Sequence, residues 1–381
     1  MLWAATQRTK TPRNDGNRIE AKPQSGESPE CSLENFILSR FALRGSQIAM
    51  IAACKHQNSS KFGKTRKGAQ RFRCNDCGKT YSEANSSTAP LGKMRIDLDK
   101  ACTALNLLLE GMSLRATSRM TGLSRNTLGD LLLIVGERCE TFSRAMIKDV
   151  EATDVQADEI WSFVGMKEKT RKRIGASEDM GDSWTWIAIE RDTKLVLAYH
   201  VGQRDGDDCQ DFMNKLKRAI TGRFQMTTDG LGAYQSTVPF TFRSNVDFAM
   251  LIKTYQSAQN ETRYSPANIV AIEKKVMFGS PDEQQICTSH VERLNLTLRM
   301  QMRRFARLTN GFSKALDHHR AMQSLFFCWY NFVRPHQSLR TEDGKKQTPA
   351  MASGLTGGIL KLQEILEVVA RSEDKSNQHT G

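Results

Sequence analysis

The feature that most constrains the fold is a succession of strand-like and helical segments between residues 151 and 255. Three strand-like runs come first, followed by an amphipathic helix and two further strand-like runs. Asp207 or Asp208 is predicted to cap the helix. Three antiparallel strands followed by alternating elements predict a mixed five-stranded sheet with helices on both faces, in the α+β or α/β class. The segments read VQADEIWSFVG, SWTWIAIER, LVLAYHVGQR, DFMNKLKRAI (the helix), FQMTTDG and VDFAMLIKTY.

The chain has 381 residues, more than the roughly 250–300 at which a single hydrophobic core stops growing. We therefore expect at least two folded units. The polar first segment is predicted to be disordered, or to be an over-extended start in which Met50 is the working initiator. The predicted units are 1–49 (polar arm), 50–90 (small knuckle), 95–148 (helical unit), 150–340 (sheet unit) and 341–381 (C-terminal helix and polar tail).

The chain is basic, with 55 Lys and Arg against 42 Asp and Glu and a formal net charge of +13. A charge of this sign indicates an anionic polymer as partner, and nucleic acid is the first candidate. A basic protein with no nucleic-acid role is the alternative. No apolar run of about 18 residues occurs, so no membrane partner is expected. The beginning of the sequence has no signal-peptide pattern, which predicts a cytoplasmic protein.

Two cysteines in a Cys-x-x-Cys pattern, Cys74 and Cys77, are followed by Gly and Lys. This pattern is typical of half a zinc ribbon, in which thiolates on a tight turn supply two of four ligands. Cys54 and His56 lie at the spacing expected for the other half. The sequence therefore predicts a structural Zn²⁺ site, and the alternative is a hairpin with two incidental thiols.

Residues 98–139 have the helix-period spacing and turn signals of a helix-turn-helix unit. Gly122 can adopt the left-handed turn between two helices, and Ser124 is predicted to cap the next helix. The first turn of that helix is where a recognition helix contacts the major groove. An ordinary helical hairpin is the alternative. The predicted DNA-contacting residues there are Arg125, Asn126 and Thr127.

Three acidic residues carry the prediction of an enzyme. Asp158 lies in the middle of the first strand-like run, where a charge is costly unless it is paired or binds metal. Asp229 ends the fourth run, 71 residues later, and Glu292 lies 63 residues further on in a basic helix. The first and fourth strands of such a sheet are neighbours, so the acids can converge. Three carboxylates are hard oxygen ligands for Mg²⁺, or Mn²⁺, in phosphodiester displacement.

Each acid also has an ordinary structural interpretation. Glu159, next to Asp158, could be the inward acid, because a shift of one residue exchanges the faces of a strand. Asp229 could be a turn residue before a glycine. Glu292 and Ser289 fit a capping box at the start of the helix.

The basic helix is predicted from Ser289 to about Arg307. Asn295, Arg299 and Arg303 follow Glu292 at three-, seven- and eleven-residue spacing, on nearly one helical face. Such a face would carry an acid for the metal and then donors for DNA phosphates. Arg293, Arg304 and Arg307 are interpreted as general phosphate contacts or solvated charges, and His290 and His336 are assigned no chemistry.

The sequence resembles the DDE transposases of bacterial insertion sequences, most closely the insertion-sequence-one type. The resemblance covers roughly residues 50–350. It departs from the family pattern in the polar arm and in a Cys-x-His where Cys-x-x-Cys is commoner. The motifs that carry it are DEIWSFVGMKEK, TTDG-x-x-AY, RYSPA, TSHVERLNLTLRMQMRRFARLTNGFSK and YNFVRPHQSLR.

This resemblance implies an RNase H-like catalytic domain whose acids are Asp158, Asp229 and Glu292, with Arg299 in the basic position after the Glu. It implies Mg²⁺-dependent cutting at the terminal inverted repeats of an element in double-stranded DNA, transfer of the freed 3′-hydroxyl into target DNA, and a homo-oligomer. Two alternatives remain: a DNA-binding regulator that keeps the fold without the chemistry, and an RNase H-like nuclease.

Overall fold

The structure, a computed structural model, describes residues 58–64, 70–76, 78–82, 90–256, 268–306 and 309–379. The predicted arm 1–49 lies outside these residues. The strands are β1 (Ser59–Lys64), β2 (Gln70–Cys74), β3 (Thr80–Ser82), β4 (Val150–Glu151), β5 (Asp154–Val164), β6 (Gly181–Glu190), β7 (Val196–Gly202), β8 (Ile220–Thr221), β9 (Phe224–Thr228), β10 (Val246–Gln256) and β11 (Asn268–Phe278).

Helices flank these strands. They are α1 (Leu98–Leu109), α2 (Leu114–Thr121), α3 (Arg125–Met146), α4 (Glu168–Ile174), α5 (Gly206–Ala219), α6 (Gly232–Phe242), α7 (Ser289–Gln301), α8 (Leu316–Cys328), α9 (Pro349–Ala352) and α10 (Leu362–His379). Helix α8 continues as a wider π-helical turn over Trp329–Val333. None of the helices in the described ranges is long and apolar enough to cross a bilayer.

The main sheet has six strands in the order β11-β10-β9-β5-β6-β7. Strands β5, β6 and β7 are antiparallel, β9 runs parallel to β5 and to β10, and β11 is antiparallel to β10. The first predicted strand therefore lies beside the fourth, and the mixed sheet flanked by helices is confirmed. The prediction of five strands is wrong, because β11 extends the sheet. Its residues are largely exposed and three charged residues interrupt it, so it has no alternating pattern.

Helices α1, α2 and α3 begin where the local sequence predicts, and α3 continues seven residues beyond the predicted pattern, to Met146. The Ser113 side chain caps α2, Gly122 ends it with φ +71°, and the Ser124 side chain caps α3. Helix α5 is capped two or three residues earlier than predicted. Its cap is Asp205, whose side chain accepts the N–H of Asp208.

Helix α3 is long, with 22 residues, and half of them are buried. It crosses α8 at Gly136, where an added Cβ would lie only 2.5 Å from the Cα of Ala321. Buried residues of α1 and α3 form one continuous hydrophobic core with β5, β6 and α8. The helical unit and the sheet unit are thus held together by shared burial.

Candidate active site

The site lies at the edge of the sheet where β9 ends before its two neighbours. The last paired residue of β9, Thr228, lies opposite Ala157 of β5 and Met250 of β10. Both neighbouring strands continue past this point. Asp229 therefore follows the end of β9 into a gap, and Asp158 and Glu159 come next after Ala157 on β5.

Carboxylate oxygens of Asp158, Glu159 and Asp229 all lie within 4.8 Å of one another. Asp158 and Glu159 point to opposite faces of the sheet, as neighbours on a strand do. Because β9 does not extend between them and Asp229, the single carboxylate of Asp229 approaches both. The structure thus brings together two of the predicted acids and Glu159, the alternative inward acid.

Asp158 is held on the α7 side by two hydrogen bonds. One oxygen accepts the backbone N–H of Glu159, and the other accepts the amide of Asn295, each at 2.8 Å. Asn295 is only 4% exposed. Asn295, which the sequence predicts to contact DNA, directs its buried amide at Asp158 in this structure. The amide oxygen of Asn295 is buried and has no hydrogen-bond partner among the described residues.

Glu159 is held on the α6 side by Arg204, which the sequence analysis did not select. The Nε of Arg204 donates to Glu159 at 2.8 Å, and Tyr234 OH donates to the other oxygen at 3.3 Å. Arg204 lies over the ring of Trp184 and reaches within 3.8 Å of Asp229. One guanidinium therefore spans two of the clustered carboxylates.

Glu292 lies in the first turn of α7, beside the cluster but outside the group of three. Its Oε1 accepts the hydroxyl of Thr288 at 2.6 Å and forms an ion pair with Lys253 of β10. The capping-box interpretation is wrong, because the residue before the helix is Thr288 and Ser289 is already helical. Glu292 therefore does not act as the acid of a capping box with Ser289.

Burial, together with neighbouring negative charge, raises the pKa values of the clustered acids. Burial, then Asp229, raises the pKa of Asp158 to about 6. Burial, then Asp229 and Asp158, raises the pKa of Glu159 to about 7 against the opposing effect of Arg204. Burial also raises the pKa of Asp229, and Glu292 contributes to the rise for both aspartates. Added positive charge would relieve this repulsion.

The donor atoms fit a hard divalent cation. Carboxylate oxygens on Asp158, Asp229 and Glu159 converge, and the unpartnered amide oxygen of Asn295 belongs to the same hydrogen-bonded group. Mg²⁺ and Mn²⁺ prefer oxygen ligands of this kind. Glu292 could join such a site if Lys253 released it.

One of the remaining predicted residues, Arg303, lies elsewhere than expected. Helix α7 ends at Gln301 rather than near Arg307, because Met302 and Phe305 turn into the core and are 2% and 1% exposed. Arg303 therefore lies outside α7 and off the face of Glu292, whereas Arg299 remains on the helix. Arg307 lies outside the described residues.

Arg303 lines a separate cavity of about 500 Å³ together with Arg125 and Asn126 of α3. Arg125 and Asn126 are exposed at the start of that helix. Thr127 is half-buried, and its hydroxyl lies 2.8 Å from that of Ser124. The start of α3, which is predicted to contact DNA, and the end of α7 thus line one cavity. The sequence pattern did not indicate this proximity.

The predicted zinc knuckle is described only in part. Strands β1, β2 and β3 form a small antiparallel sheet, and Cys74 is buried at the end of β2. A tight turn follows, in which the N–H of Gly78 donates to the carbonyl of Cys74. The other predicted ligands, Cys54, His56 and Cys77, lie outside the described residues.

Lys253 and Arg204 were missed although both had a sequence signal. Lys253 is the one cation inside the apolar run VDFAMLIKTY, and Arg204 ends the run LVLAYHVGQR. A single cation in or beside a strand that borders acidic strands predicts an ion pair, but its partner depends on the strand order.

No family model matches the sequence. The chain is 27% identical over 171 residues to the insertion element iso-IS1n protein InsB of Shigella dysenteriae, which corresponds to 45% of this chain and 91% of that protein. A solved structure of a piggyBac transposase synaptic complex with hairpin DNA shares 8% identity with a TM-score of 0.33, over 78% of this chain and 77% of that one.

Proposed function

We propose that the chain is a DDE-type transposase that cuts the ends of its element and joins them to target DNA. The proposal starts from the resemblance of the chain to the transposases of bacterial insertion sequences, which the similarity to InsB confirms. The observation that carries the proposal is the convergence of Asp158 and Asp229 at the end of β9, with Glu292 beside them. The order of the sheet supports an RNase H-like catalytic domain.

The proposed ligands of one or two Mg²⁺ or Mn²⁺ ions are Asp158, Asp229 and Glu292. Bound ions of this kind neutralise and orient the phosphate, the attacking oxygen and the leaving oxygen of an in-line displacement. Asn295 fixes the orientation of Asp158 through its amide. Arg204 neutralises Glu159 and remains close to Asp229. Lys253 would exchange Glu292 for a phosphate oxygen when DNA enters.

The proposed DNA contacts lie on two elements. Arg125, Asn126 and Thr127 at the start of α3 would contact the terminal inverted repeat in a helix-turn-helix arrangement. Arg299 and Arg303 would bind backbone phosphates nearer the acids. The cavity that Arg303 shares with Arg125 and Asn126 supports one continuous DNA path between the two elements. Assembly of two ends would require a homo-oligomer on DNA.

A cleavage and joining assay tests the proposal. The substrate is a supercoiled plasmid carrying the DNA that flanks the gene, with Mg²⁺ and a second target plasmid. The Asp229→Asn variant is expected to lower nicking by at least about a hundredfold while its DNA affinity stays within about twofold. The exposed Asp343→Asn variant is the matched control and should behave as wild type.

The same assay separates the alternatives. Binding without nicking by the wild type would favour a regulator, and nicking without joining would favour a simple nuclease. Equal loss of binding and nicking in Asp229→Asn would indicate misfolding rather than lost chemistry. Correctly joined products that depend on Asp229 would support the proposal.

For the knuckle we propose a structural Zn²⁺ held by Cys54, His56, Cys74 and Cys77. The buried Cys74 and the tight turn to Gly78 support this set. Metal analysis after extensive dialysis is expected to find about one Zn²⁺ per chain. Less than about half an equivalent would count against the site.

A further inference from the structure

A second cavity, of about 550 Å³, lies along α7 away from the acids. Its lining includes Arg293, Thr297 and Met300, which share one face of the helix. Glu292 and Asn295 lie on the other face, roughly 150° away at 100° per residue. The α7 lining extends from His290 to Gln301, a length of about 16 Å at 1.5 Å per residue. The remaining walls are the turn between β6 and β7 and the segment Arg334–Ser338.

The lining of this cavity is basic. Lys194, Arg293 and Arg334 carry positive charge, two histidines accompany them, and none of the lining residues is acidic. Arg334 is held in place, since its guanidinium donates to Gln301 at 2.9 Å and lies over the ring of Trp329. An arginine fixed in this way is preorganised for a phosphate oxygen.

Lys194 has a backbone conformation that favours glycine. Its φ is +62° in the turn between β6 and β7. Left-handed residues other than Gly, Asn or Asp are uncommon and strained, and such strain is found preferentially at functional positions. Although glycine would fit this turn, the chain has a lysine there that lines the cavity, and its ammonium donates to the carbonyl of Arg191 in the same turn. This is an observation independent of the surrounding charge.

His336 presents a hydrogen-bond donor at the same wall. Its Nδ1 accepts the backbone N–H of Ser338 at 3.3 Å and lies 3.0 Å from the Ser338 hydroxyl. A backbone N–H can only donate, so the neutral ring carries its proton on Nε2. The ring packs edge-on against Tyr330, which fixes its orientation. His336 belongs to the motif YNFVRPHQSLR, but the sequence alone assigns this histidine no chemistry.

We propose that this cavity is a phosphate-binding groove that holds the backbone of the DNA strand passing the catalytic acids, on the opposite face of α7. The inference rests on the proposed function and adds a binding site to it. A groove about 16 Å long with its charges spread along it suits consecutive phosphodiesters rather than a single anion. Lys194, Arg334 and His336 are its binding residues.

The Lys194→Gly variant tests the groove without endangering the fold, because glycine removes the charge and relieves the strained φ. The probe is a fluorescein-labelled 30-base-pair duplex of random sequence in EDTA, titrated by anisotropy over a range of KCl concentrations. The slope of log affinity against log salt is expected to fall by about 0.9 for one lost phosphate contact. Arg334→Gln is expected to do the same. The control is Arg243→Gly, which removes an exposed cation with a positive φ (+52°) outside the groove.

Unchanged salt slopes in both Lys194→Gly and Arg334→Gln, with wild-type binding and nicking intact, would overturn the groove and leave the proposed function standing. A wild type that neither binds the duplex nor nicks DNA would instead overturn the proposed function. Inorganic phosphate distinguishes the source of the ligand. If phosphate raises the melting temperature of the wild type and not of Lys194→Gly, while DNA slopes stay equal, the groove binds a free anion and the DNA assignment is wrong.

Discussion

Replacing Asp158 by Asn is expected to stabilise the metal-free protein while removing its proposed chemistry. Burial and Asp229 raise the pKa of Asp158 from 3.8 to about 6. At 1.36 kcal/mol per pKa unit, the ionised group costs at most about 3 kcal/mol of folding free energy at pH 8. An Asn side chain can still accept the N–H of Glu159, and the amide of Asn295 can turn to accept from it. The charge is then lost without loss of the two hydrogen bonds.

The sign of the pH dependence follows from the direction of the shift. The folded state holds the proton of Asp158 more tightly than the unfolded state, so the protonated carboxyl makes its full contribution to stability below about pH 4. It is lost as the pH rises from about 4 to about 6. The stability difference between Asp158→Asn and wild type should therefore be small at pH 4 and reach its maximum by about pH 7.

Urea unfolding in EDTA at pH 4, 6 and 8 measures this difference. Added Mg²⁺ should raise the unfolding midpoint of wild type at pH 8 and leave that of the variant nearly unchanged, because binding to the folded state stabilises it. Asp343→Asn on the surface is the control and should show neither effect. A variant less stable than wild type at pH 8, or a difference that does not grow with pH, would refute the electrostatic reasoning.

Further predictions concern the core. Burial lowers the pKa of His319 to about 3, so acidification from pH 7 to 4.5 should cost about 2–3 kcal/mol, and His319→Gln should lose that part of the acid sensitivity in urea unfolding. Gly136→Val should lower stability by at least about 3 kcal/mol, or prevent folding, because α3 and α8 cross in contact at Ala321. Asn331→Leu should lower the urea midpoint by the equivalent of about 2–4 kcal/mol, because Leu cannot replace the hydrogen bonds that Asn331 makes with the N–H and C=O of Val196 on the edge strand β7. A midpoint within error of wild type would contradict either of the last two.

Local chemistry made part of the fold predictable. The caps at Ser113 and Ser124 and the left-handed Gly122 depend only on neighbouring residues, and the structure has them where the sequence places them. The other strands of the main sheet could also be predicted from the sequence, because their apolar content is set by burial in the sheet. Strand β11 could not be predicted from the sequence, since an exposed edge strand needs no apolar pattern.

The geometry of the site was only half predictable. The order of the strands is enough to place Asp158 beside Asp229. It does not show that β9 stops at Thr228, and this early end is what lets Glu159, on the other face, join the cluster. The end of α7 was misjudged for a similar reason: the burial of Phe305 depends on residues distant in sequence.

The long helix α3 has a consequence for how this protein can change its target. Its exposed beginning carries the proposed base-reading side chains, while the buried face of the rest packs against α8 with no room for a single extra methyl group at Gly136. Exchanging the whole helical segment with that of a relative would disrupt the catalytic half as well. New specificity should therefore evolve, or be engineered, by single substitutions in the first turn of α3 rather than by shuffling of modules.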